Sequence, residues 1–192
     1  MTKHKRLALV LGINLSMVAG LLIAGLVTHS LGVLASAADY LGDALGTGLS
    51  LGAQRVSRRD RRPNAIALAA FANSALLLAV TLAVAAEAIR RLIVGAPVVH
   101  GLPVILVSVA AAAAMVVCAV ILGNVEDDLS MQSVMLDSLA DAAAALGVAI
   151  SGAIILATDG TYWLDAAVAL GIALVVGYHA AKLMRKAHAG IR

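Results

Sequence analysis

Charge is scarce in this chain. Only 13% of its 192 residues are Asp, Glu, Lys or Arg, against about 25% in soluble globular domains. With 62% hydrophobic residues and a mean hydropathy of +0.99, the polar side chains are too few to coat a water-soluble fold. The chain is expected to sit in lipid, which leaves no room for a large cytosolic enzyme domain. Aromatic residues are also rare, at 3%. The dominant Ala, Gly and Leu suit tightly packed helices, not a barrel with period-two alternation. The single cysteine, Cys118, excludes an intrachain disulfide, and its apolar surroundings read as a small buried hydrophobe. A net charge of +3, unevenly spread, does not imply a nucleic-acid partner.

What is there is apolar and divides into six stretches, about 7–27, 31–54, 65–89, 102–123, 131–157 and 163–182. Each approaches or exceeds the roughly 20 residues that a membrane-crossing helix takes. The basic start followed by Ala35-Ser36-Ala37 imitates a secretory signal, but the first apolar run is longer than the usual 7–15 residues of a signal core, so a retained helix is expected. Lys3, Lys5 and Arg6 precede the first stretch. Arg55, Arg58, Arg59, Arg61 and Arg62 lie between the second and third, and Lys182, Arg185, Lys186 and Arg192 lie at or beyond the end of the sixth. Six spans put all of these on one side and only Arg90 and Arg91 on the other, so the excess of basic residues assigns both termini to the cytoplasm. The fold class expected is an all-α membrane protein, a six-transmembrane-helix bundle forming one domain over 1–192, in the inner (cytoplasmic) membrane.

Pro63, Pro97 and Pro103 fall near stretch boundaries, where a missing N–H costs least. Tyr162 and Trp163 open the sixth stretch as interfacial aromatics do. The acidic run from Asn124 to Ser130 reads first as a solvated turn with Asp128 or Ser130 capping the next helix, and second as a weak cation-attracting vestibule.

Four carboxylates break the apolar pattern. Asp39 and Asp43 lie in the second stretch, Asp137 and Asp141 in the fifth. An ionisable group at a span centre costs some 2.5–3.5 kcal/mol on insertion scales, and such groups face protein or water. Spacing i, i+4 puts each pair on one helix face, one turn apart. No Lys or Arg lies in the span interiors to neutralise them. If the two faces meet, four like charges surround one point, and repulsion is relieved either by protons or by a divalent cation. Competition between those two solutions is the chemistry of a metal/proton exchanger. Flanking small residues (Ala35, Ala38, Gly42, Ala44 and Gly46; Ala140, Ala142 and Ala143) permit close helix approach. Each pair lies in the middle helix of a three-helix half, an arrangement similar to an inverted repeat around a midplane site.

These residues resemble the cation diffusion facilitator family of divalent metal/proton antiporters. The resemblance is strongest in Ser30-Leu-Gly-Val-Leu-Ala-Ser-Ala-Ala-Asp-Tyr-Leu-Gly-Asp43 and in Ser133-Val-Met-Leu-Asp-Ser-Leu-Ala-Asp141, and extends to Asn14, Asn73, Glu87-Ala-Ile-Arg-Arg-Leu92 and Asp165-Ala-Ala-Val-Ala-Leu-Gly-Ile172. It implies that Asp39, Asp43, Asp137 and Asp141 hold the transported ion, and that the chain exports a divalent transition metal (the Mn, Fe, Zn, Co, Cd class) from the cytoplasm by alternating access, with protons as counter-ion. Many zinc members of that family carry His where this chain has Asp137. An all-carboxylate site favours Mn²⁺ or Fe²⁺ relatively more, while zinc stays accessible to it. The family's C-terminal cytosolic domain has no counterpart in these residues, so a homodimer would form through the membrane helices.

Asn14 reads either as a hydrogen-bonding neighbour of the site or as helix glue, and Asp165 as a relay or a cap. Glu87 is placed to pair with Arg90 or Arg91. His29 and His100, near the outer face, read as interfacial residues before ligands, and His179 and His188 fall near the cytosolic end with no partner pattern. Membrane phosphatidyltransferases also use paired aspartates, but Asp159-Gly160 is followed by Thr-Tyr-Trp and lacks the Ala-Arg their motif needs, so no enzyme is expected. The remaining alternative is a non-transporting membrane scaffold or metal-binding subunit.

Overall fold

The computed structural model describes residues 3–56, 63–122 and 129–191. Among them the chain forms six helices: α1 (Lys3–Thr28), α2 (Leu31–Val56), α3 (Pro63–Val94), α4 (Gly101–Leu122), α5 (Leu129–Thr158) and α6 (Trp163–Ile191). They coincide with the six apolar stretches, and all but α4 extend them. The acidic run at 124–128 and most of the arginine cluster lie outside the described residues.

Five helices are long and apolar enough to cross a bilayer; α2, at 26 residues, matches them in length but not in hydropathy. Asp39 and Asp43 and a run of Gly, Ser and Thr dilute its apolar character. It compensates by position, packing against α1, α3, α5 and α6. Two apolar clusters share it. Val33, Ala37 and Tyr40 join residues of α1, α4 and α5, including Leu21, Met115 and Val148. Leu31 and Ala35 join Ala88 of α3 and Ala169 of α6. The most extensive pairings are α4 with α5 and α3 with α6. Large apolar side chains such as Ile23, Leu26, Ile93, Leu106, Val120 and Leu174 face outward, where lipid would cover them.

The helices alternate in direction. Arg6 of α1 donates to the carbonyl of Ile121 near the end of α4 (2.9 Å), and Phe71 of α3 stacks obliquely with His188 of α6. Those contacts mark the end where the termini lie. The opposite end carries three short turns, where α1, α3 and α5 stop at His29 (φ 58°), Gly95 (φ 112°) and Asp159 (φ 45°). Left-handed residues of this kind are common helix terminators, and His and Asp are among the side chains that tolerate them.

The turn between α1 and α2 is closed by a complete set of hydrogen bonds. A helix start leaves four backbone N–H groups without intrahelical acceptors. Here Leu31 and Gly32 donate to the Asp165 carboxylate (2.6 and 3.2 Å), and Val33 donates to the Ser30 hydroxyl oxygen (3.1 Å). The Ser30 hydroxyl donates in turn to Asp165 (2.6 Å). Asp165 lies in the first turn of α6, so one carboxylate faces the positive ends of two helix dipoles. Arg91 of α3 donates to the His29 carbonyl (2.7 Å), held by Glu87, which pairs with both Arg90 and Arg91. The His100 N–H donates to the Thr28 carbonyl (3.4 Å). Two other helices, α6 and α3, and the residue just before α4 thus fasten one turn.

Two outcomes follow for stability. Asp165→Ala leaves buried N–H groups of Leu31 and Gly32 without acceptors, at about 1–3 kcal/mol each, and should clearly lower the thermal midpoint in detergent; an unchanged midpoint would contradict the capping role. At the α4–α5 crossing, a Cβ on Gly101 would stand 2.6 Å from the Gly152 carbonyl oxygen, whereas one on Gly147 would meet nothing within 4 Å. Gly101→Ala should therefore destabilise the bundle, and Gly147→Ala should not.

Candidate ion site

The α2 and α5 faces that carry the paired aspartates do meet. The Asp141 carboxyl, only 7% exposed, lies close to both Asp39 and Asp43. Carboxylates brought this close repel one another unless a proton or a cation lies between them. Asp137, one turn along α5, is close enough to act electrostatically on Asp39, Asp43 and Asp141, but its side chain is exposed. Asp39 and Asp43 are half-buried. Asp141 thus approaches each α2 carboxylate from across the interface, and Asp137 stands at the rim. Among the described residues, no three His, Cys, Asp or Glu side chains are already gathered into a metal-holding set.

Burial along α2 is uneven. Toward the turns, α2 is buried from Leu31 to Ala38 except at Leu34, whereas from Leu45 to Leu49 it is exposed or half-buried. The capped turn is thus the tightly packed end, and the exposed Asp137 lies toward the end that carries the termini.

Neither additional polar residue singled out in the sequence joins the quartet by a described contact. Asn14 is 4% exposed, and its Oδ1 has no hydrogen-bond partner among the described residues. Asp165 is 1% exposed and is engaged with the first turn of α2, about 12 Å along the helix from Asp39 at 1.5 Å per residue. Its contacts are those of a cap.

Sequence reasoning passed over two residues. Tyr40, between the paired aspartates, turns inward, and its hydroxyl is buried without a partner among the described residues; Asp39, Asp43, Asp141 and the Cys118 thiol lie in its neighbourhood. With five aromatic side chains in 192 residues, a tyrosine between two intramembrane acids was a readable signal. The other is His179 of α6, whose ring is near enough to act on Asp43 and Asp137. Nothing in its local sequence marks it, because the proximity depends on how α6 lies beside α2 and α5.

Comparison with known proteins places this geometry. Residues 7–190 match the cation efflux transmembrane domain. A protein named zinc transporter ZitB from Pectobacterium atrosepticum is 32% identical over 168 residues, covering 82% of this chain and 52% of that protein. Its namesake from Yersinia pestis is 28% identical over 169 residues, covering 83% of this chain and 54% of the relative. The chain thus spans about half the length of the curated relatives it matches. On the match across nearly all of its residues, this multi-pass membrane protein belongs to the cation diffusion facilitator family.

Proposed function

We propose that this protein exports a divalent transition-metal ion from the cytoplasm in exchange for protons, with Asp39, Asp43, Asp137 and Asp141 as the exchange site. The observation that carries the reading is the approach of Asp141 to both α2 carboxylates across the α2–α5 interface. A cluster of like acids in a low-dielectric span is stable when protonated or when a cation is coordinated, and each state excludes the other. Loading starts at the open end, where the exposed Asp137 and half-buried Asp43 meet the ion first and Asp141 receives it deeper. Release requires the capped turn end to open and the termini end to close. Incoming protons then take over the carboxylates.

The basic residues near the termini support placing that end in the cytoplasm, in an inner-membrane protein. An all-oxygen quartet accommodates Mn²⁺ and Fe²⁺ well, and the two relatives bearing zinc-transporter names keep Zn²⁺ among the cargoes. Assembly is proposed as a homodimer through the membrane helices. The reading assigns no covalent chemistry to the chain.

In proteoliposomes with an imposed pH gradient, the wild type should move Zn²⁺ or Mn²⁺ against protons. Asp43→Ala and Asp141→Ala should reduce flux to the level of protein-free vesicles. Normal flux in both variants would refute the site, and absence of flux in the wild type would favour the scaffold. Metal affinity should fall as pH falls, by about tenfold per unit for each proton displaced. An affinity independent of pH would refute the coupling.

A further inference from the structure

The α2 and α6 helices both run from the turn end, and the Asp165 bonds to Leu31 and Gly32 fix their relative height. Counting from that tie at 1.5 Å per residue, Asp43 lies about 18 Å along α2 and His179 about 21 Å along α6. Direction agrees with height. His179 follows Asp165 by 14 residues, about 40° short of four full turns, so it shares a stripe of α6 with Asp165 and with Ala169, which packs against Leu31 and Ala35 of α2. Its imidazole is exposed, and Asp43 and Asp137 are its electrostatic neighbours. It therefore stands on the open side of the cluster, beside the carboxylate that is itself exposed.

We propose that His179 is a specificity-determining ligand of the transport site, supplying from α6 one imidazole nitrogen to a borderline cation such as Zn²⁺ alongside Asp43 and Asp137. An imidazole among carboxylates raises preference for Zn²⁺ over Mn²⁺, because nitrogen suits the softer ion while oxygen suits the harder. The inference rests on the carboxylate reading above and adds a third helix to it. The ring is exposed and fastened by no hydrogen bond among those described, so it can swing toward an arriving ion.

The test is X-ray absorption at the zinc edge on the purified protein in nanodiscs with one equivalent of Zn²⁺, together with Zn²⁺ and Mn²⁺ titrations. Wild type should show the outer-shell scattering of one coordinated imidazole, and His179→Ala should lose it. A His29→Ala/His100→Ala double variant should keep it. His179→Ala should weaken Zn²⁺ binding by about tenfold or more and Mn²⁺ binding by less than about twofold, narrowing the ratio between them. If Asp141→Ala abolishes binding while His179→Ala matches wild type in spectrum and affinity, this inference alone is overturned. If Asp141→Ala retains both the imidazole signal and wild-type affinity, the carboxylate site falls and takes the inference with it. His179 is exposed, so loss of fold in its variant is not expected, and a monodisperse elution profile checks that.

Discussion

Carboxylates inside a membrane span have nowhere neutral to go. Lipid solvates no charge, and no Lys or Arg in the span interiors offsets these. The stable arrangement turns the acids toward one another and toward an aqueous opening, where protons or a cation complete them. This constraint explains why α2, the least apolar helix, packs against four others, and why small residues line it. Close packing around α2 is the condition for keeping Asp39 and Asp43 inside the bundle.

The same helix is asymmetric along its length, and the asymmetry has a hydrogen-bonding cause. Its first turn is satisfied by Ser30 and by a carboxylate from another helix, with Arg91 and His100 tightening the preceding turn. Every donor there has a partner, so water gains nothing by entering. Near the acids the balance reverses. The Tyr40 hydroxyl is buried without a partner among the described residues, and a polar group left so is costly unless another state satisfies it. We read the sealed end as a rigid anchor and the acidic middle as the part that rearranges.

The fold was largely legible from composition and run lengths, since apolar stretches of membrane-crossing length admit few other structures. The i, i+4 spacing identified the two acidic faces, and the absence of basic partners in the spans left each other, protons or a cation as the groups to neutralise them. Spacing within a helix could not say how the helices are rotated, so Asp137 proved to be the exposed member of the quartet. Asp165 shows the same limit. Its position at the start of α6 suggested either a relay or a cap, and only the tertiary contact with the first turn of α2 distinguishes them. His179 was illegible because its neighbours belong to other helices.

The central claim is that protons and a metal ion occupy one carboxylate cluster in turn. Calorimetric titration of the detergent-solubilised protein with metal, repeated in buffers of different ionisation enthalpy, measures the protons displaced by each ion bound. The account predicts a release of at least about one proton per metal near neutral pH, greatly reduced in Asp141→Asn. Binding heats independent of the buffer, with metal bound at full stoichiometry, would contradict it.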